Sequence, residues 1–270
     1  MNSLVIGSTS QLSQFFPSNY VRISSRDINF KKLKETQWDR IFICFGESRK
    51  YIDNIQNYDD INFKLILKVI DELKSNCDKI VVYSTCELWN KLSGPISLDN
   101  DFDFYSTPYL NSKYKMTKYI LDNQEEYKNV IILYPFNFNS TYRSQNFLFG
   151  KIFKSIIDKV KIEIGDTYFY RDLVHPKYVV NQSIISENHQ IIGSGRLTYV
   201  NDFIKDLYNN FNLNYSDYVT ECKSNFKEYN KNNEYYLKSE MCLYSYDKLK
   251  SDTIKDLNHK IHLYNMTNIQ

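Results

Sequence analysis

An apolar, strand-like run, Ile80 to Tyr83, delivers Ser84, Thr85, Cys86 and Glu87 at its C-terminal end, and 24 residues after Thr85 stands Tyr109, with Lys113 four positions later. On a helix, positions four apart lie on one face, so a phenol and an ammonium can point into the same cleft. The ammonium stabilises phenolate and draws the phenol pKa toward neutrality, which makes Tyr109 a usable proton donor or acceptor. The Thr85 hydroxyl can complete the hydrogen bonding of a reacting carbonyl or alcohol. Pro108, directly before Tyr109, suits a helix start.

A second group precedes these. Gly7, Ser8, Thr9, Ser10, Gln11, Leu12 and Ser13 follow the apolar run Leu4 to Ile6 and are expected to turn into a helix. Such a turn aims backbone N–H groups at a pyrophosphate, and glycine lets the backbone approach closely. One glycine of the usual three is present, and a Ser-rich helix cap explains the same run. After the next apolar run come Ser24, Ser25 and Arg26, where an NAD-specific enzyme would carry a carboxylate for the ribose hydroxyls. Ser25 and Arg26 suit a 2′-phosphate instead, and a plain exposed loop arginine is the alternative. Asp27 stands slightly too far along the chain.

These residues need a scaffold, and the hydrophobic pattern describes one. Leu4 to Ile6, Val21 to Ile23, Ile41 to Phe45, Ile80 to Tyr83 and Val130 to Leu133 read as buried strands, alternating with helical faces at Ile61 to Leu73 and Tyr109 to Tyr127. That alternation predicts an α/β fold: a Rossmann-type, doubly wound parallel sheet over residues 1–135, followed by a smaller C-terminal substrate-binding lobe over 136–270 with returns to the sheet. In the second part, helices are expected over Phe147 to Val160 and near Asn201 to Phe211 and Asp252 to His259. A short strand is expected near Lys161 to Ile164 and an extended piece at Phe169 to Val174. The Asn-, Lys- and Tyr-rich stretch 223–236 reads as a surface excursion.

Composition bounds the partners. With 34 Lys plus Arg against 32 Asp plus Glu, the net charge of +2 lacks the basic footprint of a nucleic-acid binder. No apolar run approaches the roughly 20 residues of a membrane span, and the start of the chain does not resemble a leader, so a cytoplasmic protein is expected. The five cysteines (Cys44, Cys77, Cys86, Cys222, Cys242) are scattered and read as free thiols, with no metal site. The chain contains no alanine at all, so small residues in any motif are expected to appear as Ser, Asn or Cys.

Taken together, these segments resemble the extended short-chain dehydrogenase/reductases that act on nucleotide-activated sugars, through nearly the whole chain. Tyr109-Leu-Asn-Ser-Lys113 is similar to the family's catalytic pair, and Thr85 falls on its catalytic Ser/Thr. Asn62 matches an Asn that organises the active-site helix. Tyr134-Pro135-Phe136-Asn137 resembles the segment that passes the nicotinamide and supplies an Asn to the sugar diphosphate. Arg171-Asp172-Leu173-Val174-His175 resembles the segment whose Arg contacts that diphosphate, although a surface Arg171–Asp172 ion pair is the alternative. Ile191-Ile192-Gly193-Ser194-Gly195-Arg196 resembles a late Gly-Ser-Gly turn.

The resemblance implies NADPH, or NADH, along Gly7 to Leu12, Ser25, Arg26, Phe45, Gly46, Tyr109, Lys113, Pro135 and Phe136. It implies a nucleotide-sugar substrate near Cys86, Glu87, Trp89, Asn137 and Arg171, with Trp89 either lining the sugar pocket or packing. A homodimer is compatible with it. His175 is read as structural, and Lys115 and Lys118 as solvated helix-face charges.

Four chemistries compete within that resemblance. Dehydration needs an acid after the catalytic Thr, and Cys86, a thiol of ordinary pKa near 8.5, serves poorly. An epimerase/reductase with a Cys base needs a partner His between 138 and 160, and none of His175, His189, His259 and His262 lies there. A reductase of a 4-keto-6-deoxy sugar needs only Thr, Tyr, Lys and a hydride donor, and is the expected activity. A sugar-nucleotide 4-epimerase comes second and a non-catalytic nucleotide-binding module third.

Overall fold

The computed structural model describes residues 2–48, 55–222, 237–241 and 243–267. The expected surface excursion at 223–236 and Cys242 lie outside the described residues. The chain divides into two compact units: residues 2–92, 98–135 and 180–192 form the first, and 93–97, 136–179 and 193–267 the second.

The first unit is built on six strands: β1 (Ser3–Ile6), β2 (Val21–Ile23), β3 (Trp38–Ile43), β4 (Cys77–Tyr83), β5 (Val130–Pro135) and β6 (Gln190–Ile192). They lie in the order β6-β5-β4-β3-β1-β2, and every neighbouring pair is parallel. The expected α/β parallel sheet is therefore present. Leu4, Val5, Ile6, Ile41, Phe42, Ile80, Val81 and Val82 are fully buried, as continuous apolar runs must be in a sheet covered on both faces. Because β2 and β3 flank β1 on opposite sides, the chain reverses its winding direction there. In open α/β sheets that switch point, at the C-terminal strand ends, is where ligands bind.

Two helices flank the strand ends that matter most. Helix α1 runs through Ile55–Asp59, Asp60–Leu65 and Ile66–Leu73, its middle segment wound as a π-helix. Helix α2 (Pro108–Asp122) begins with Thr107 as its cap, the hydroxyl accepting from Leu110 N–H at 3.2 Å, and with Pro108 in the first turn.

The expected helix after Gly7 is absent: Leu12–Phe15 forms a single 3₁₀ turn. Pro17 supplies the reason, since the residue before a proline is pushed out of the helical region, and Phe16 is extended at φ −69°, ψ 155°. Strand β6 is a return of the later chain to the sheet, at residues the sequence did not specify, as it did not specify helix Pro176–Ile185.

In the second unit, Tyr170–Val174 lies between Asn137–Phe138, parallel to it, and Leu197–Tyr199, antiparallel. Helices Leu148–Asp158, Val200–Asn210 and Tyr246–Thr267 supply its apolar faces. Its organising group is Asp172, fully buried. One carboxylate oxygen accepts from Ser194 N–H and Ser194 O–H, both at 2.6 Å, and the other from Gly195 N–H and Ser239 N–H, both at 3.0 Å. The surface ion pair considered for Asp172 is thereby replaced by a buried hub. A Cβ on Gly193 would stand 2.7 Å from that carboxylate, so the close approach requires glycine. Asp172→Asn puts an amide donor against backbone donors and should cost about 2 kcal/mol or more, read as a lower urea midpoint.

Candidate active site at the strand ends

The C-terminal ends of β1, β3 and β4 hold the residues singled out for chemistry. Gly7, at the end of β1, adopts φ +109°, and a Cβ there would come within 2.8 Å of Phe45 N and 3.0 Å of the Cys44 carbonyl carbon. Both the backbone conformation and the space demand glycine. Gly7 N–H and Ser8 N–H both donate to Ile23 O, at 2.8 and 3.0 Å, which ties the turn to the end of β2. Ser8, Ser10 and Gln11 are half-buried, Thr9 exposed and Leu12 buried. Ser25 is half-buried and Arg26 exposed, on a turn in which Arg26 N–H donates to Ser24 Oγ at 3.1 Å.

After β3, Phe45 is half-buried and Gly46 exposed. Asn62 fixes this loop: its Oδ1 accepts from Glu47 N–H at 2.7 Å and its Nδ2 donates to Glu47 O at 2.9 Å. The same Nδ2 donates to Ser112 Oγ at 3.1 Å, and Ser112 Oγ donates to Tyr109 O at 2.7 Å. One buried amide thus couples the loop after β3 to the first turn of α2. Asn62 sits in the π-segment of α1, a local winding that recurs at functional sites.

Helix α2 meets the end of β4 along one stripe. Thr117 Oγ1 lies 2.7 Å from Ser84 Oγ, and Lys113 Nζ donates to Tyr83 O at 2.8 Å. Tyr109 is one turn before Lys113 on that stripe and half-buried. Lys113 is buried, and desolvation lowers its pKa to about 8. A Cβ built on Gly46 would be 3.1 Å from Asn62 Oδ1 and 3.6 Å from Lys113 Nζ, so the bare backbone of Gly46 borders the ammonium.

Thr85 is extended and caps the 3₁₀ turn Cys86–Trp89, its Oγ accepting from Glu87 N–H at 3.2 Å. That bond uses the oxygen as acceptor and leaves the hydroxyl's donor capacity for another oxygen. Cys86 is buried and Glu87 half-buried. Trp89 is 0% exposed, donates from its indole N–H to Asn100 O at 2.9 Å, and packs on Phe102 and Tyr134.

Pro135 closes β5 opposite Ile192. Phe136, Asn137 and Arg171 belong to the second unit. There Phe136 is buried, Asn137 pairs in register with Leu173, and the Arg171 guanidinium stacks over the Phe169 ring at 4.5 Å. His175, read as structural, is buried, with Nε2 3.6 Å from Asp256. Lys115 and Lys118 are exposed and face Asp59 and Asp122. Sequence reasoning missed Glu47, Ser112 and Thr117. All three act through buried hydrogen bonds to distant residues; for Ser112 and Thr117 the signal available was their place beside Lys113 on the face of α2 that is buried, whereas Glu47, in the loop after β3, had none.

The described residues fit a dinucleotide at these strand ends. Gly7 and Gly46 carry no side chain at two of the strand ends, and the buried Lys113 ammonium lies beside Gly46 and on Tyr83 O. No group of His, Cys, Asp and Glu among the described residues could hold a metal ion. No described helix is long and apolar enough to cross a membrane. Cys44, Cys77, Cys86 and Cys222 form no disulfide.

The Lys113 shift has a measurable sign. Between about 8 and the ordinary 10.5, the unfolded chain holds a proton that the folded chain has released, so stability from this group rises with pH across that window. Below it, the penalty for burying the ammonium is fully present. The wild type should therefore gain on Lys113→Met in urea unfolding as pH is raised from about 8 toward 10.5. A flat difference across that range would show that Lys113 is not desolvated.

No family model and no curated protein sequence matches the chain. Solved structures match it over nearly its full length. A UDP-N-acetylglucosamine 4-epimerase from Methanobrevibacter ruminantium, in complex with UDP-N-acetylmuramic acid, superposes at TM-score 0.77 and 14% identity, covering 97% of this chain and 98% of the other. RMD from Pseudomonas aeruginosa, complexed with NADPH, gives 0.74 and 12%, covering 96% and 100%. A dTDP-glucose 4,6-dehydratase from Bacillus anthracis, in complex with NAD, gives 0.74 and 15%, covering 96% and 97%. The chain therefore has the fold of the extended short-chain dehydrogenase/reductases that modify nucleotide sugars.

Proposed function

We propose that this protein is an enzyme, an NADPH-dependent reductase of a nucleotide-linked 4-keto-6-deoxy sugar, with NADH as the second choice of cofactor. The observation that carries the reading is the buried Lys113 ammonium on Tyr83 O. It belongs to a helix whose first turn carries Tyr109, beside the strand end that presents Thr85. When bound, the reduced nicotinamide supplies the hydride for C4. Negative charge then develops on the C4 oxygen, and Tyr109 gives that oxygen its phenolic proton. Thr85 donates its hydroxyl hydrogen to the same oxygen, while Lys113, mostly protonated at neutral pH, holds the phenol acidic. Gly7 to Leu12, Ser25 and Arg26, Phe45, Gly46 and Pro135 would receive the dinucleotide. Glu87 would face the sugar.

Reduction is favoured over 4,6-dehydration because Cys86, a buried thiol, stands where dehydration needs an acid. It is favoured over epimerisation because an enzyme that recycles its dinucleotide within one turnover profits from a firm grip. Here the pyrophosphate turn is followed by a four-residue 3₁₀ helix only. A 4-epimerase is the second reading, since it would use the same Tyr109–Lys113 pair, and a UDP-N-acetylglucosamine 4-epimerase shares the fold.

Incubation with dehydratase-generated keto sugars and NADPH or NADH tests the proposal. A reductase consumes one dinucleotide per product, whereas a 4-epimerase interconverts sugars with no net consumption. Failure of every sugar in such a panel to draw on either dinucleotide would overturn the reductase reading. Tyr109→Phe should slow hydride transfer by about a hundredfold to ten-thousandfold, measured in single turnovers, with dinucleotide affinity hardly altered. Arg26→Ala should weaken NADPH by about 1.5 to 3 kcal/mol and leave NADH nearly unchanged in a fluorescence titration. Equal losses for both would remove Arg26 from phosphate recognition.

A further inference from the structure

The connection from β1 to β2 would ordinarily be carried by a helix, which satisfies its own carbonyls and fixes the turn before it. Here the connection holds one 3₁₀ turn, Leu12–Phe15, ended by Pro17, which has no N–H to offer. Four carbonyls of this connection converge on one side chain, and one of them, Pro17 O, also accepts from Tyr20 N–H at 3.1 Å. Arg22, in β2, donates from Nε to Ser13 O at 3.2 Å and from Nη1 to Tyr20 O at 3.2 Å. Its Nη2 donates to Phe16 O at 2.7 Å and to Pro17 O at 3.0 Å. A planar guanidinium serves four carbonyls in one fork, which a lysine ammonium cannot reproduce in that geometry. Its charge also lies at the carbonyl end of the short helix, where a cation is favoured.

The neighbouring residue holds the other end of the same turn. Ile23 O accepts both Gly7 N–H and Ser8 N–H. Between the two anchors the turn is closed by Ser10 N–H on Gly7 O at 2.9 Å, Ser13 N–H on Ser10 Oγ at 3.2 Å and Gln14 Nε2 on Ser8 O at 2.8 Å. Two successive residues of one edge strand therefore clamp the segment 7–17, one through its backbone and one through its side chain.

We propose that Arg22 is the positioning residue of the dinucleotide turn, holding residues 8–13 in their receiving conformation in place of the missing helix. The inference rests on the dinucleotide reading made above. Arg22 touches neither the reacting atoms nor the Tyr109–Lys113 stripe, so its loss should separate binding from chemistry.

The test uses the full chain carrying Arg22→Gln, and Arg22→Lys as the milder change should Arg22→Gln fail to fold. Amide hydrogen exchange of the ligand-free protein should accelerate across residues 8–17, with β3 and β4 keeping their wild-type protection. The NADPH dissociation constant, read by fluorescence titration, should rise about tenfold, the equivalent of roughly one lost charge-assisted hydrogen bond. At saturating dinucleotide, kcat and the KM for the sugar should stay within about twofold, a split that general destabilisation does not produce. Wild-type exchange and wild-type affinity in a folded variant would overturn the proposal. A wild-type protein that binds neither NADPH nor NADH would overturn the dinucleotide reading and this inference with it, and the wild-type titration alone distinguishes that outcome.

Discussion

A lysine ammonium taken out of water is the constraint around which the first unit is arranged. Burial lowers the Lys113 pKa to about 8, because desolvation disfavours the charged form. Tyr83 O, at the end of β4, accepts from this ammonium at 2.8 Å. For that carbonyl and that ammonium to meet, α2 must lie along the strand end, and the Ser84–Thr117 hydroxyl pair one turn further on holds it there. Asn62 then fixes the first turn of α2 against the loop after β3 through Glu47 and Ser112. Tyr109 inherits its place from all three contacts, so its phenol is positioned by buried polar bonds among other residues.

The strands of the first unit were legible because parallel sheets leave long apolar runs, and β1 to β5 lie on or within a few residues of the runs that announced them. Tyr109 and Lys113 were legible because the helical repeat is local: two residues four apart share a face whatever surrounds them. What was hidden depends on partners distant in sequence. Asp172 could be read as half of an ion pair with Arg171, since nothing near it reveals that Ser194, Gly195 and Ser239 aim their donors at it. Strand β6 has three residues and is recognisable only once β5 offers it an edge. Trp89 carried no local sign of burial, because the rings that enclose it lie more than ten residues on.

The misjudged helix after Gly7 is more instructive, because the contrary signal was present. Serines and Leu12 suggested a capped helix, while Pro17 set a limit five residues later. A local pattern of caps and apolar spacing can start a helix, but a proline within two turns determines whether it continues. The shortening alters the electrostatics of the strand end. A full helix would bring its aligned dipoles to a pyrophosphate, whereas one 3₁₀ turn brings little beyond individual N–H groups. Affinity for an anion at this turn must then rest on side chains and on how firmly the turn itself is held.

Glycine usage sharpens that point. The chain has seven glycines and no alanine, so its composition has moved away from small residues almost everywhere. Serine, asparagine and cysteine can stand in where a small side chain suffices, as Ser8 and Ser10 do beside Gly7. They cannot stand in where a Cβ would strike backbone within 3 Å at positive φ, which is the situation of Gly7 against Phe45 and Cys44. Gly46, at the end of the next strand, is held less absolutely, since its Cβ would crowd only the Asn62 amide and the Lys113 ammonium. Those two groups are the ones that position Tyr109. In a sequence so sparing of glycine, bare backbone remains at two neighbouring strand ends, and at one of them it borders the groups that anchor helix α2.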